Sequence, residues 1–163
     1  RDLRMSRGLG DVYKRQNMSI AVERRDYLKH FDCFVCNQIE AGIFFAEDYE
    51  GKTPQELCEI ISANVVSAQI PSIVVTMGGE GAVYADCKGN KGIYPARKVV
   101  VRDTTGAGDA FFAGVAIGMT YGKELKEAVE IGTRLAASVI ITTDNVCPRF
   151  LPKELGLDIE VDE

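Results

Sequence analysis

Two glycines and an aspartate, at positions 106, 108 and 109, form the segment of this chain best suited to chemistry. Gly106 and Gly108 follow a predicted strand and open a predicted apolar helix. The first N–H groups of a helix have no internal partner and lie at the positive end of its dipole. Because glycine leaves those groups uncovered, we expect the first amides of this helix to bind an anion, most naturally a phosphate. Asp109 would then lie beside that anion.

Asp109 is the candidate general base of this segment. A carboxylate beside a bound phosphoryl group can accept the proton of an incoming hydroxyl while backbone amides hold the transferring group. Phosphoryl transfer depends mainly on such positioning and charge stabilisation. The alternative is that Asp109 only caps the helix and that the glycines only permit tight packing. A GxGD segment by itself favours that alternative, so the surrounding sequence decides between them.

The residues from Asp103 to Phe111, DTTGAGDAF, closely resemble the signature of the PfkB/ribokinase family of small-molecule kinases. This string is neither a Walker A motif nor a GxGxxG dinucleotide motif. The resemblance implies that Asp109 is the base that activates a substrate hydroxyl for attack on the γ-phosphate of ATP. It also implies that the amides of Gly106, Ala107 and Gly108 form the anion hole. In many family members the positions of Asp103 and Thr105 help to bind a monovalent cation such as potassium.

Residues 37–40, NQIE, resemble the NxxE motif of the same family. The resemblance implies that Asn37 and Glu40 position magnesium and phosphate, often through water. The motif follows a buried strand and lies well upstream of the signature, in the order that the family uses. The alternative is a polar strand-to-helix turn in which Asn37 is the helix cap.

Two further segments resemble nucleotide-binding parts of the family. Residues 75–82, VTMGGEGA, resemble its nucleotide-side turn, which implies that Thr76, Gly78 and Gly81 lie near the phosphates or ribose of ATP. An ordinary strand–turn–strand is the alternative. Residues 142–148 occupy the place where family members line the adenine pocket, and Asn145 is the candidate there. A turn residue before Pro148 is an equally good interpretation of Asn145.

The elements that must position these residues alternate between strand and helix. Such alternation predicts an α/β fold with a largely parallel sheet. The resemblance further implies the C-terminal half of a three-layer, ribokinase-like sandwich that lacks the N-terminal strands and the lid. A capping box with proline at the first helical position marks the start of the second helix. The predicted strands are Phe31–Cys36, Ser72–Thr76, a hairpin over 82–96, and Lys98–Val101; the predicted helices are Gln38–Ala46, one from Thr53 to before Pro71, one from the signature to about Tyr121, and Leu125–Val139.

Charge and cysteine content exclude several classes of protein. The formal net charge is −5, and because residues 1–16 carry five basic and two acidic side chains, the remainder carries −8. An acidic body argues against a nucleic-acid surface. No apolar run approaches the roughly 20 residues that span a bilayer. Five cysteines without framework spacing indicate free thiols and a cytoplasmic protein. Cys33 and Cys36 form a CxxC pair on a buried strand, where cysteine acts as a small apolar residue.

The beginning of the chain predicts an incomplete domain. Residues 1–16 show neither strand nor helix periodicity, and we interpret them as a non-native leader outside the fold. Residues 17–163 are then the nucleotide-binding half, because family members are roughly twice this length. The substrate-contacting residues and the lid, through which the family often dimerises, belong to the other half. We therefore expect the fragment to be poorly stable and nearly inactive.

These expectations favour one function over two alternatives. The parent enzyme is predicted to use ATP and Mg²⁺ to phosphorylate a hydroxyl of a sugar or nucleoside in carbohydrate metabolism. One alternative is a fragment that binds nucleotide without transferring phosphate. The other is an α/β interaction module whose glycine turns serve only packing.

Overall fold

The structure, a computed structural model, describes residues 3–4, 12–14, 32–99, 104–141 and 152–157. The chain divides into two compact units, Arg1–Ala96 and Arg97–Glu163. Asp103 and Asn145, and the predicted strand residues before Asp32, lie outside the described residues. None of the helices within the described ranges is both long and apolar enough to cross a membrane.

The first unit contains one sheet whose strands pair in chain order. The β2–β3 and β3–β4 pairs are parallel, whereas β1–β2, β4–β5 and β5–β6 are antiparallel. The α/β class is therefore confirmed, with the parallel pairing of the described sheet confined to β2–β4. The strands are β1 Leu3–Arg4, β2 Val12–Lys14, β3 Cys33–Asn37, β4 Ser72–Thr76, β5 Ala82–Asp86 and β6 Lys91–Tyr94.

Two helices connect β3 to β4, as a parallel pair requires. Helix α1 spans Gln38–Phe45 and α2 spans Pro54–Ala68. The predicted capping box of α2 is confirmed: Glu56 N donates to Thr53 Oγ1 at 3.3 Å, and Thr53 N donates to Glu56 Oε2 at 2.9 Å. The helix ends at Gln69 in the left-handed conformation, two residues before the proline.

The core of the first unit lies between one face of the sheet and these two helices. Alternate strand residues point to the same face, so Phe34, Ile73 and Val83 contribute to one cluster with helical side chains. Val35 and Val74 point to the opposite face and are also buried. Both faces of the central strands are therefore covered.

The second unit is built on two packed helices, α3 Ala107–Thr120 and α4 Leu125–Ile140. Glycines bring them together: a Cβ added to Gly114 would lie 2.5 Å from the Cα of Gly132. A short 3₁₀ helix, Pro152–Leu155, follows, and Leu155 packs in the same cluster as Leu135 of α4. The predicted end of α3 near Tyr121 and the predicted range Leu125–Val139 of α4 agree with the structure within one residue.

Two expectations about strands need correction. Residues 1–16 were expected to contain no strand, yet Leu3–Arg4 and Val12–Lys14 extend the sheet beyond β3. Segments of two and three residues are too short to show a two-residue period, which explains the missing signal. The predicted strand Lys98–Val101 is wrong for Lys98 and Val99, which lie outside any strand. The rest of that strand lies outside the described residues.

Candidate functional site

The start of α3 has the glycine geometry expected of an anion site. Gly106 is the N-cap residue, with φ 82° and ψ −9°, a left-handed conformation that glycine adopts without strain. Its carbonyl accepts the first helical hydrogen bond, from Ala110 N at 2.9 Å. Within the described residues no side chain caps this helix end. The helix therefore begins in an open backbone turn.

Two of the amides assigned to the anion hole, those of Ala107 and Gly108, differ in their surroundings. Ala107 N donates to the carbonyl of Thr104 at 3.2 Å, so this amide already has a partner inside the turn. Gly108 is the second residue of the helix, so its N–H has no carbonyl acceptor within the helix. Gly108 is also exposed. The geometry therefore favours the Gly108 amide over that of Ala107 as an anion donor.

Asp109 is the third residue of α3 and is exposed. Its carboxylate stands in the first turn, where the helix dipole favours negative charge on a side chain or a ligand. Thr105, expected near a monovalent cation, is also exposed and precedes the cap residue. Asp109 therefore lies at the surface rather than in the packed interior, which is compatible with a role as general base.

Asn37 and Glu40 form a reciprocal capping box at the junction of β3 and α1. Glu40 N donates to Asn37 Oδ1 at 2.8 Å, and Asn37 N donates to Glu40 Oε2 at 2.9 Å. The alternative structural role of Asn37 as helix cap is thus confirmed. Capping also fixes the two side chains relative to each other, so the structural role and a magnesium role are compatible.

The capping box supplies two oxygen-bearing side chains, which fit Mg²⁺ because this ion prefers oxygen ligands and keeps several waters. In the described parts of the chain, no group of three His, Cys, Asp or Glu side chains could hold a metal ion. A magnesium ion at Asn37 and Glu40 would therefore take its remaining ligands from water and phosphate.

The predicted nucleotide-side turn lies beside this capping box within the first unit. Asn37 and Thr76 are direct partners in the parallel β3–β4 pair, so both strands end at the same edge. Thr76 Oγ1 also donates to the carbonyl of Cys36 at 3.4 Å. Ligands of open α/β sheets bind outside the carboxyl ends of parallel strands. The structure thus brings Asn37, Glu40 and Thr76 to one such edge.

Glycines shape the turn that follows Thr76. Gly78 has a positive φ of 57° and begins a short 3₁₀ helix that ends at Glu80. Gly78 and Gly79 are exposed, and a Cβ at either would meet nothing within 4 Å. Gly81 differs, because backbone atoms occupy the space beside it. The turn therefore offers open backbone at Gly78 and Gly79 but not at Gly81.

The CxxC pair is confirmed as part of the core. Cys33 and Cys36 are 0% and 4% exposed, and both are free thiols. Burial raises the pKa of Cys33 to about 12 and raises the pKa of Cys36 well above its ordinary value. Thiols that stay protonated at neutral pH are poor metal ligands and poor nucleophiles.

A positioning contact that the motifs did not reveal involves Gln38, between the two residues of the capping box. Its side-chain amide donates to the carbonyl of Tyr49, a buried residue of the loop between α1 and α2. The Tyr49 hydroxyl in turn accepts from Asn64 Nδ2 of α2 at 2.9 Å. These bonds join residues 11 and 15 positions apart, so no local pattern could have predicted them.

Similarity to known proteins agrees with this geometry. Residues 10–148 match the pfkB family of carbohydrate kinases. The guanosine-inosine kinase of Exiguobacterium acetylicum is 35% identical over 130 residues, 79% of this chain and 42% of that protein. An uncharacterized sugar kinase of Archaeoglobus fulgidus is 34% identical over 134 residues, 82% of this chain and 45% of that protein. The chain therefore spans less than half the length of these curated relatives.

Solved structures support the same assignment of fold. The Arabidopsis thaliana ribokinase complexed with ribose and ATP superimposes with a TM-score of 0.68 at 20% identity, covering 80% of this chain and 42% of that one. The α/β architecture is therefore that of a ribokinase-like domain, as the signature implies. The chain belongs to the pfkB carbohydrate kinase family. The family match begins at residue 10, so it includes part of the segment that was interpreted as a leader.

Proposed function

We propose that this chain is the ATP-binding and base-carrying part of a kinase that phosphorylates a hydroxyl of a sugar or nucleoside. The observation that carries the proposal is the exposed Asp109 carboxylate, one residue after Gly108 in the first turn of a glycine-capped helix. The candidate base and the candidate anion-binding amides thus lie in one short segment. Phosphoryl transfer uses these two elements together.

In the proposed reaction, Asp109 accepts a proton and the amides stabilise negative charge. Asp109 accepts the proton of the substrate hydroxyl while the hydroxyl oxygen forms a bond to the γ-phosphorus of ATP. The bond from that phosphorus to the β–γ bridging oxygen breaks, and its electrons leave with ADP. The amides at Gly106 and Gly108 stabilise charge on the transferring oxygens, with Ala107 contributing less because of its bond to Thr104. A positioned base supplies about 10²–10⁴ in rate.

The first unit is proposed to hold the nucleotide and its metal. Asn37 and Glu40 would position Mg²⁺, which when bound neutralises charge on the phosphates. Thr76 and Gly78 would contact ATP at the open turn after β4. Asp103 and Thr105 as cation-binding residues, and Asn145 as an adenine contact, remain predictions of the family resemblance.

The class of acceptor follows from the relatives rather than from the site. The 35% identical relative is a guanosine-inosine kinase, which favours a nucleoside, whereas the 34% identical relative is named as a sugar kinase. We propose that the acceptor belongs to one of these two classes. A cytoplasmic location and dimerisation of a longer parent chain likewise remain predictions.

Detection of the phosphate ester tests this proposal. The chain is assayed alone and joined to the part of guanosine-inosine kinase that it does not match, with MgATP and either inosine or ribose. Phosphorus NMR should show ADP and a phosphate ester forming in equal amounts with the joined protein, and almost none with the chain alone. Binding of MgATP without ester would favour the non-catalytic alternative. Neither binding nor ester would favour an interaction module.

A further inference from the structure

Gly81 closes the turn between β4 and β5 in a conformation that few residues can adopt. Its φ is 104° and its ψ is −137°, in a region populated almost only by glycine. Met77 N donates to the Gly81 carbonyl at 2.8 Å, and Gly81 N donates to the Gly78 carbonyl at 3.2 Å. Both ends of the exposed segment Gly78–Glu80 are therefore tied through Gly81.

A second stretch of backbone crosses directly beside Gly81. Ala82 pairs with Tyr94 in the antiparallel β5–β6 ladder, so the residues after Tyr94 continue past Gly81. A Cβ added to Gly81 would overlap the Tyr94 carbonyl oxygen and would lie 2.7 Å from Ala96 N and 2.9 Å from the carbonyl carbon of Pro95. These are all backbone atoms, so no side-chain rotation can relieve the overlap.

The two neighbouring glycines lack this obstruction, which makes the crossing specific to one position. Gly78 shares a positive φ, 57°, but has open space beside it, and Gly79 has open space without a positive φ. A side chain is therefore unconstrained at position 79 and is disfavoured at position 78 by the backbone conformation alone. At position 81 it is disfavoured both by the conformation and by the close backbone.

We infer that Gly81 is a positioning residue, which lets the Tyr94–Ala96 backbone cross the turn and thereby fixes Gly78–Glu80 for the nucleotide. The backbone fills the space where a Cβ of residue 81 would point, and the N–H and carbonyl of Gly81 are bonded within the turn, so Gly81 acts through the turn rather than by touching ATP. The part of the inference that concerns nucleotide rests on the proposed function. The part that concerns the crossing stands on geometry alone.

Amide hydrogen exchange in the whole chain tests the crossing without any ligand. In Gly81→Ala, exchange at Glu80 and residue 81 should accelerate at least about tenfold, while Val35 and Val74 in the central strands change less than about twofold. Gly79→Ala should change exchange in the turn less than about twofold, and Gly78→Ala less than Gly81→Ala. Equal effects of Gly78→Ala and Gly81→Ala, or equal acceleration in the central strands, would overturn the inference.

A measurement on the unsubstituted chain keeps the test valid if Gly81→Ala does not fold. Nuclear Overhauser contacts are expected between the Gly81 Hα protons and the Ala96 amide proton, and their absence would overturn the crossing.

Titration with MgATP tests the proposed effect of Gly81 on nucleotide binding. Gly81→Ala should weaken binding at least about tenfold and Gly79→Ala less than about threefold, and similar losses would contradict a positioning role. If the unsubstituted chain binds no MgATP, the proposed function fails while the exchange result still decides the crossing.

Discussion

Replacement of Gly114 by alanine tests the packing that holds the Asp109-bearing helix. An added Cβ would lie 2.5 Å from the Cα of Gly132, 2.7 Å from its N and 2.9 Å from the carbonyl carbon of Ile131. Ordinary carbon contacts are about 3.5–4.0 Å, so the helices would have to separate by about 1 Å. Because all three atoms are backbone, the cost belongs at the upper end of overpacking penalties, about 3 kcal/mol.

The intrinsic effect of the same substitution has the opposite sign. Alanine is favoured over glycine inside a helix by about 1 kcal/mol, so an unobstructed Gly114→Ala would stabilise the chain. With the clash included, we expect a net loss of about 2 kcal/mol in the free energy of unfolding. This corresponds to a fall in melting temperature of about 4–8 °C for a chain of this size.

Thermal unfolding followed by circular dichroism measures this change. Ala113→Gly is the matched control, because residue 113 is the exposed neighbour in the same helix and reports helix propensity alone. It should cost about 1 kcal/mol. If Gly114→Ala instead raises the melting temperature, the close approach of α3 and α4 is wrong.

Two further predictions concern groups that burial or capping perturbs. The exposed Cys87 should react with iodoacetamide at pH 8 at least about 100-fold faster than Cys33, because only the thiolate reacts and burial raises the pKa of Cys33 to about 12; equal labelling rates by mass spectrometry would contradict this. The backbone and hydroxyl hydrogen bonds from Thr53 lower the pKa of Glu56, so its stabilising effect should be present above its ordinary pKa of 4.5 and lost as pH falls through the lowered value. Unfolding curves of the parent chain and Glu56→Gln should therefore differ most above pH 4.5 and converge in acid, and a constant difference would refute the linkage.

Local patterns were sufficient for the helix starts, and they also singled out the candidate base. The capping box at Thr53 and the GxGD segment are each written in a few consecutive residues, and the structure places helix starts at both. The NxxE segment is also local, and there the structure shows the capping role directly. The chemical roles of Asp109, Asn37 and Glu40 remain predictions, since helix geometry alone does not select a ligand.

Contacts between distant residues were beyond sequence reasoning. The crossing at Gly81 depends on the register of β5 with β6, and the α3–α4 contact depends on how two helices meet. The strand Val12–Lys14 pairs with β3, whose residues follow it in the chain only after residue 32. In each case the determining partner is remote in sequence, so a local window contains no signal for it.

Separating turnover from nucleotide binding in Asp109→Asn tests the central claim most directly. The variant is compared with the parent chain after both are joined to the part of guanosine-inosine kinase that this chain does not match. Asp48→Asn is the control, because Asp48 is an exposed carboxylate that accepts a hydrogen bond from Glu50 N, and an asparagine oxygen can still accept it. A catalytic base predicts a loss of about 10² or more in kcat with little change in the Kd of MgATP, while the control retains both. Turnover by Asp109→Asn at the rate of the control would contradict the account.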